Sequence, residues 1–490
     1  MRHIPALSAT LFVCAGILGA AEPGGARNVI LFIGDGMNLN HEVAASRYLH
    51  GIDRGLSFHA LPYSTSVTTW DVSAYNAYAR ASGQKPYDET AFIAATGYDP
   101  AKGGAGPSLA DEPLARAYYL PRGKPAATDS ASAATALATG RKTDDGNIAW
   151  KAGDPPGGAY TTIAELARAA GRRIGVVSTV PFCHATPAAF VSHNVHRGNY
   201  TGTSDAAIDH EIIRTLKPDV VIGGGHPGWV KEYIDPRNYA FLRAGGLGNE
   251  YQFVERIAGQ DGGANLAAAV QAAAGRKLFG LFGGKGGFFG FAQVADQPGA
   301  PAVVPDSPEN PTLAQCATAA LQLLTADGTS PEGCFVMIEQ GDIDWANHAN
   351  NFPAMIGAVH DLDQAVRAAT AFVDRPGDQL DWTNTLLIVT SDHSNSYMRL
   401  HAALGKGDLP PLDAKGRATD GSVSYGTGSH TNEPVSLYAR GPGVELFASL
   451  EGSWYPGTRL IDNTQVFHVM LAASGLQAPP GQAAPLKPVE

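Results

Sequence analysis

Residues 28–37 read NVILFIGDGM, a continuous apolar run that stops at the small and polar residues Gly34, Asp35 and Gly36. A short apolar run closed by a turn signal predicts a strand that is buried on both faces. Further Val-, Ile- and Leu-rich runs of the same kind occur at 173–178, 219–222, 277–282, 334–338, 385–390 and 435–438. The repetition indicates several strands that belong to one buried sheet.

Segments with helical spacing of apolar residues separate many of these runs. They lie at 131–139, 161–170, 264–274, 312–324, 354–372 and 464–473. Buried strands that alternate with helices predict an α/β fold with a central, mainly parallel sheet and helices on both of its faces. Two long stretches, 70–127 and 399–428, break the alternation and are interpreted as insertions over that sheet. We therefore expect one catalytic domain over residues 22–490.

The N-terminus predicts export. Arg2 and His3 precede an apolar run, 4–18, that ends in the small residues 19–21. This pattern is typical of a signal peptide over residues 1–21, which indicates a periplasmic or secreted protein. Neither this run nor any later segment is apolar over the length that a membrane-spanning helix needs, so no membrane association is expected after signal removal.

Export also permits disulfide bonds, and three cysteines follow the signal peptide. Cys316 and Cys334 are the plausible pair, which leaves Cys183 over. None of the cysteines has the close spacing of a thiolate zinc site.

The charge balance excludes one class of function. The chain carries a formal net charge of −11, whereas nucleic-acid binding needs clustered Lys and Arg, so we expect no nucleic-acid binding surface. A small phosphate substrate stays compatible with this charge, because bound metal cations can reverse the local potential.

Metal-ligand residue types gather where the predicted strands end. Asp35 closes the first strand, Glu339 follows the strand at 334–338, and the pair Asp392-His393 follows the strand at 385–390. His430 comes shortly before the last strand. In open parallel sheets the active site lies at the carboxyl ends of the strands, so these side chains are expected to meet.

Carboxylates and imidazoles in such a place predict a site for several metal ions, because Zn²⁺ takes histidine nitrogen and carboxylate oxygen while Mg²⁺ prefers oxygen. Asp344 and His348 are four residues apart and share one face of a helical turn, so both can bind one ion. Taken alone, Asp35 is more often a helix cap and His430 more often a turn residue. The set of strand ends together favours metal binding.

Ser130 lies in TDSASAATA, residues 128–136, a run of small residues that can open a helix. A serine at a helix N-terminus is commonly an N-cap. The same position also suits a nucleophile, because unpaired backbone N–H groups and the helix dipole attract an anion there. The segment alone leaves both interpretations open.

The order of these motifs resembles that of the alkaline phosphatases over residues 28–442. The similar pieces are GDGM at 34–37, DSA at 129–131, HATP at 184–187, Arg197, EQGDIDWANH at 339–348, SDH at 391–393 and HT at 430–431. The resemblance implies an alkaline-phosphatase-like fold. It also implies hydrolysis of small phosphate monoesters through a phosphoserine intermediate.

The resemblance further implies a role for each matching residue. Ser130 is the implied nucleophile, and Arg197 the guanidinium that binds two phosphate oxygens. Two zinc ions and one magnesium ion are implied, with the first zinc on Asp344, His348 and His430, the second on Asp35, Asp392 and His393, and the magnesium on Asp35, Thr186 and Glu339. Members of the family are often homodimers, so a homodimer is expected by analogy.

Two positions depart from the pattern of many bacterial members. His184 stands where these enzymes carry Asp, and Trp345 stands where they carry Lys; both substitutions occur in other branches of the family. The Trp345 position lacks a cation near the phosphate, so we expect weaker product binding. Two alternatives to a monoesterase are a phosphodiesterase of the same superfamily and a secreted phosphate- or metal-binding protein without turnover.

Overall fold

The computed structural model describes residues 25–83, 85–89, 127–326, 332–376, 380–452 and 459–482. The predicted signal peptide and most of the predicted insertion at 70–127 lie outside these ranges. Within them, no helix is both long enough and apolar enough to cross a membrane.

Ten strands form the central sheet. In chain order they are β1 (Asn28–Gly34), β2 (Tyr63–Thr68), β3 (Arg173–Pro181), β4 (Val220–Gly224), β5 (Tyr251–Glu255), β6 (Lys277–Leu281), β7 (Cys334–Gln340), β8 (Thr385–Thr390), β9 (Val435–Arg440) and β10 (Leu460–Asp462). Their order across the sheet is β10-β2-β9-β8-β1-β7-β3-β4-β6-β5. Among these strands only β9 is antiparallel to its neighbours, β8 and β2.

Helices cover both faces of the sheet. They are α1 (Leu39–His50), α2 (Val72–Ser82), α3 (Ser130–Thr139), α4 (Ile163–Ala169), α5 (Ala185–Val191), α6 (Pro236–Arg243), α7 (Gly262–Ala272), α8 (Leu313–Leu324), α9 (Asp342–His348), α10 (Phe352–Val373), α11 (Val444–Leu450) and α12 (Asn463–Ala473), with a further helical segment over 208–216.

The first strand shows why this sheet is buried on both faces. Leu31 and Ile33 of β1 pack into one hydrophobic core with α3, α4, α5 and α12, while Ile30 and Phe32 pack into a second core with α1, α8 and α10. Side chains alternate between the faces of a strand, so a continuous apolar run fills two cores at once. The predicted α/β fold is confirmed.

Three strands were missed in the sequence, and they lie toward the two edges of the sheet. β2 reads YSTSVT, with its first residues only partly buried, so its composition carries no strong apolar signal. β5 and β10 are short outer strands of the same sheet. The predicted insertion at 399–428 contains a small ribbon in which Arg399–Leu400 pairs with Val423–Ser424.

The Cys316–Cys334 pairing, which the sequence left open, does not form in the structure. Both cysteines are buried and free, as is Cys183. Cys334 opens β7 beside the Asn28 side chain, and Cys316 faces the hydrophobic core from α8. Each thiol therefore acts as a small core residue.

Candidate active site

Parallel register brings the strand ends to one edge of the sheet. β1 pairs with β7 and with β8, and Ile33 lies opposite both Glu339 and Thr390. Asp35 and Asp392 each follow two residues after Ile33 and Thr390. Because β9 runs in the opposite direction, the residues that precede it lie at the same edge, and this places His430 with the other predicted ligands.

Asp35, Asp392 and His393 form the first cluster, with one ligand atom of each lying within 4.8 Å of the others. The Nε2 atom of His393 is 3.3 Å from a carboxylate oxygen of Asp35 and 3.3 Å from one of Asp392. All three side chains are fully buried. The turn after β1 requires Gly36, because its φ is +69° and a Cβ atom there would lie 2.7 Å from Asp344.

The carboxylates of this cluster are electrostatically strained. Burial and the charge of Asp392 raise the pKa of Asp35 well above its usual range. Burial and the charge of Asp344 raise the pKa of Asp392 to about 7. Both oxygens of Asp35 and the Oδ2 atom of Asp392 accept no hydrogen bond from any residue that the structure describes. Cations held between these oxygens would remove the repulsion, so the donor set fits metal ions.

Asp344, His348 and His430 form the second cluster. The Nε2 atom of His348 is 3.1 Å from Asp344 Oδ2 and 3.2 Å from the Nε2 atom of His430. The Nε2 atom of His430 is in turn 3.5 Å from Asp344 Oδ1. The Nδ1 atoms point away, toward the carbonyl oxygens of Gly428 and Thr128, each 2.8 Å distant. Such outer contacts orient the imidazoles and leave Nε2 free to bind a metal ion.

The two clusters touch each other. Asp344, His393 and His430 also bring one ligand atom each within 4.8 Å, and the rings of His393 and His430 stack with centroids 3.7 Å apart. Burial acts against the charge on His430, but Asp344 outweighs it and raises the pKa of His430. His393 is fully buried and lies beside His430. Burial is the main cause, and the charge of His430 the second, that lowers the pKa of His393 well below its usual value. A neutral His393 is suited to bind a metal ion.

Glu339 lies close to both Thr186 and Asp35. The Oε1 atom of Glu339 and the hydroxyl of Thr186 are buried without a hydrogen-bond partner among the described residues, and burial raises the pKa of Glu339 to about 7. Ser178, which we did not predict, donates its hydroxyl hydrogen to the other oxygen of Glu339. β3 pairs with β7 so that Ser178 lies opposite Glu339, a relation that depends on a register absent from the sequence.

Ser130 is the first residue of α3, and its N-cap is Asp129. The Asp129 carboxylate accepts from the backbone N–H of Ser132 at 2.9 Å, so Ser130 does not serve as the cap. Its hydroxyl is buried and lies 3.1 Å from Nε2 of His393. The structure therefore leaves the Ser130 hydroxyl at the edge of the first cluster and at the positive end of the helix dipole.

Arg197 faces the same place from a loop. Its Nη1 donates to Asp129 Oδ2 at 2.8 Å, and its Nη2 is 3.5 Å from Nε2 of His184. Although burial opposes the charged form of Asp129, Arg197 holds the pKa of that carboxyl well below its usual range. Asp129 thus caps the helix of Ser130 and positions Arg197 together, a double role that we did not predict.

An aromatic rim flanks Arg197. The ring of His184 packs edge-on against Trp345 with centroids 5.7 Å apart, and Phe288 packs on Trp345 at 4.8 Å. Trp345 is partly exposed. The two residues that depart from the common bacterial pattern are therefore in contact with each other.

A comparison with known families decides what this arrangement is. The family model of alkaline phosphatase matches residues 114–408. The alkaline phosphatase of Escherichia fergusonii is 30% identical over 92% of this chain and 86% of its own length. The chain belongs to the alkaline phosphatase family. It is accordingly a phosphatase that hydrolyses phosphate monoesters.

Other relatives and solved structures agree with this membership. The streptomycin-6-phosphate phosphatase of Streptomyces griseus is 29% identical, over 93% of this chain and 92% of its own. The alkaline phosphatase of the Antarctic bacterium TAB5 superposes with a TM-score of 0.57 at 23% identity, covering 92% of this chain and 98% of its own. That of Shewanella sp. gives 0.60 at 21% identity, with coverages of 91% and 99%. These structures share the fold.

Proposed function

We propose that this phosphatase hydrolyses phosphate monoesters through a phosphoserine intermediate on Ser130. The observation that carries the proposal is the position of its hydroxyl, 3.1 Å from His393 Nε2 and one residue from the Asp129 carboxylate that holds Arg197. The serine therefore has a predicted metal cluster on one side and a fixed guanidinium on the other.

Three cations fit the site. Asp344, His348 and His430 would hold one zinc ion, and Asp35, Asp392 and His393 a second. Thr186, Glu339 and Asp35 would hold a magnesium ion, because their unpartnered atoms are all oxygens. A mutant of the TAB5 alkaline phosphatase, in which one histidine is replaced by aspartate, has been solved with Mg bound in its M3 site. Together the cations would supply the positive charge that lowers the pKa of the Ser130 hydroxyl and neutralises charge on the leaving oxygen.

The residues of the chain perform the remaining tasks. Arg197 binds two phosphate oxygens, since its planar fork matches their spacing. The N-terminus of α3 directs its backbone N–H groups at the same anion. Ser130 Oγ then attacks phosphorus while the bond to the leaving oxygen breaks, and a water attacks the phosphoserine, which returns the serine and releases phosphate.

We further propose that residues 1–21 are a signal peptide removed during export, which leaves a single catalytic domain over residues 22–490. The protein would be periplasmic or secreted, would act as a homodimer, and would associate neither with nucleic acid nor, after signal removal, with a membrane. The net charge of −11 supports the absence of nucleic-acid binding. Family analogy alone supports the dimer.

Parallel assays of a chromogenic phosphate monoester and diester, with and without EDTA, test the reaction. We expect faster hydrolysis of the monoester and loss of activity in EDTA. Ser130→Ala lowers kcat by at least about 1000-fold, while the control Ser132→Ala, two residues along the same helix, changes it by less than about tenfold. The mass of acid-quenched parent enzyme shows one added phosphoryl group that Ser130→Ala lacks.

Each rival has its own result. Preference for the diester supports a phosphodiesterase, and phosphate binding without turnover supports a binding protein. Activity that survives EDTA contradicts the metal assignment. Activity that survives Ser130→Ala contradicts the phosphoserine.

A further inference from the structure

A glycine-rich turn near the candidate active site presents a phenylalanine. Residues 283–287 read GGKGG, without the Ser or Thr that a phosphate-binding P-loop carries after its lysine. The backbone N–H of Gly284 donates to the carbonyl oxygen of Phe288 at 2.7 Å, which closes the turn. Gly287, whose φ is +94°, accepts at 2.7 Å from the backbone N–H of Gly225, which follows β4. The turn is therefore tied to the sheet and fixes the position of Phe288.

Phe288 belongs to a row of aromatic rings that begins beside Arg197. The rings, in order along the row, are those of Tyr200, His184, Trp345, Phe288 and Phe291. Successive ring centroids lie 6.2, 5.7, 4.8 and 5.0 Å apart. The aromatic rim thus continues outward from the arginine that is proposed to bind the phosphate.

Most of this row is partly open to solvent. His184 is buried, whereas Tyr200, Trp345, Phe288 and Phe291 are each partly exposed. Phe288 is in neither of the two hydrophobic cores that the described residues form. An apolar surface beside a few polar groups is typical of a site for an organic ligand. The row therefore offers a binding surface.

The position of the row indicates which part of a substrate it meets. His184 contacts Arg197, and Trp345 directly follows the proposed metal ligand Asp344 in helix α9. A phosphate held by Arg197 is joined to its leaving group by one oxygen atom, so that group begins only a few ångströms from these rings. The rim is therefore placed to contact the leaving group of the ester.

We propose that the aromatic rim binds the leaving group and favours monoesters in which that group is a planar aromatic ring, the aryl phosphates. Offset or edge-to-face packing of aromatic rings gains free energy beyond the area that it buries, so a planar ring binds better than a saturated ring of similar size. This inference rests on the proposed monoester hydrolysis and adds the substrate class.

Inhibition of the full metal-loaded enzyme by methyl-, cyclohexyl- and phenylphosphonate tests the rim, at a pH where all three are dianions. Their P–C bond replaces the ester bond, so the comparison measures binding without the leaving-group step. Methylphosphonate reports on the phosphate site, cyclohexylphosphonate adds apolar area, and phenylphosphonate adds an aromatic plane. We expect phenylphosphonate to bind about fivefold tighter than cyclohexylphosphonate.

Variants at the turn assign this preference to the rim. Phe288→Leu keeps an apolar side chain but removes the ring, so it should lower the ratio of the phenyl and cyclohexyl affinities by about threefold. Phe288→Tyr keeps a ring and should restore the ratio. Phe253→Leu is the control, because Phe253 is a partly exposed phenylalanine on the outer strand β5, and it should leave the ratio unchanged.

The possible failures can be told apart. Equal inhibition by phenyl- and cyclohexylphosphonate, with monoester hydrolysis intact, overturns the role of the rim and leaves the proposed function standing. If methylphosphonate does not inhibit and no monoester is hydrolysed, the proposed function fails and this inference fails with it. An unchanged ratio in Phe288→Leu, together with an altered oligomeric mass, assigns the ring to an interface between copies of the chain and also overturns the proposal.

Discussion

Two buried carboxylates near the candidate metal sites have opposite surroundings. Glu433 is 2% exposed; its Oε1 accepts from Arg399 Nη2 at 2.7 Å and its Oε2 from the hydroxyls of Ser394 and Thr431 at 3.2 and 3.1 Å. Asp35 is fully buried, and neither of its oxygens accepts a hydrogen bond from the described residues. Glu433 therefore has a structural role, with all of its hydrogen bonds made inside the protein, whereas Asp35 has both oxygens available to a ligand.

The Arg399–Glu433 ion pair also holds in place the backbone around the first cluster. Arg399 begins the predicted insertion at 399–428, and Glu433 follows it, so the pair joins the two ends of the loop that carries His430. Ser394, which donates to Glu433, follows His393 directly. A saturated ion pair behind the site thus fixes the backbone on which two proposed metal ligands lie. A buried polar network of this kind fixes one geometry when every member has its partner.

We expect the largest effects when Asp35 and Glu433 are each replaced by the corresponding amide. The Asp35 change should act on activity and the Glu433 change on stability. Asp35→Asn should lower kcat/KM by about 1000-fold or more, because Asp35 belongs to two proposed metal sites, and it should reduce bound metal. The metal-free variant should be no less stable than the metal-free parent, because the change removes a repelling buried charge. Assays, metal analysis and urea unfolding with and without EDTA measure the three quantities.

Glu433→Gln is the matched change at the satisfied position. It leaves the Arg399 charge buried without its partner, so it should lower the free energy of unfolding by about 3 kcal/mol whether or not metal is bound. If Asp35→Asn destabilises the metal-free protein as much as Glu433→Gln does, the distinction between the two carboxylates fails.

His193 extends the comparison to a satisfied group near Arg197. Its Nδ1 is 2.7 Å from Glu211 Oε1 and its Nε2 is 3.2 Å from Glu165 Oε2. Burial alone would lower the pKa of His193, but hydrogen bonds to the two carboxylates outweigh it and raise the pKa to about 10. Both ring nitrogens of His193 therefore have carboxylate partners.

The raised pKa gives a stability that depends on pH. A histidine whose pKa is higher in the folded state contributes fully below about pH 6.5 and loses that contribution as pH rises through about 10. His193→Gln should therefore cost about 3 kcal/mol at pH 6, and the gap to the parent should narrow by pH 10.5. Urea unfolding across this range measures the gap, with exposed His196→Gln as the control. A gap that stays constant with pH contradicts the charge assignment.

The sequence predicted residues that follow a strand directly, but not residues whose role depends on a partner elsewhere in the chain. Asp35, Asp392 and His393 were found because they directly follow apolar strands, and a strand end is visible in one dimension. Glu433 and Ser178 were not, because their partners lie in other strands and loops and depend on register. The reversed direction of β9 was also invisible, although it explains why His430 reaches the site from before a strand.

The two alternatives for Ser130 show the same limit. A serine among small residues at a helix start fits a cap and a nucleophile equally well. The Asp129 carboxylate occupies the cap, which removes the first alternative, and the nucleophile stays a proposal. The Cys316–Cys334 pairing was likewise open in the sequence, because export only permits a disulfide, and in the structure each thiol is packed as a small apolar group.

Substitution of Trp345 should have the smallest effect of these changes. It tests whether the aromatic side chains beside Arg197 influence phosphate binding. Here a partly exposed ring, in contact with His184 and Phe288, stands where many bacterial members carry a lysine. Trp345→Lys brings a cation near the phosphate site, so the inhibition constant of inorganic phosphate should fall by about tenfold, equivalent to about 1.4 kcal/mol. Inhibition assays at low and high salt measure the change.

Trp345→Phe is the control, because it keeps an aromatic ring and adds no charge. It should leave phosphate inhibition within about twofold of the parent, whereas the gain in Trp345→Lys should shrink as salt screens the added charge. If the inhibition constant is unchanged in Trp345→Lys, the ring is not the cause of weaker product binding, and Arg197 with the proposed cations alone determines phosphate affinity. A gain that persists at high salt places the new ammonium in direct contact with the phosphate, because close, partly buried pairs are screened least.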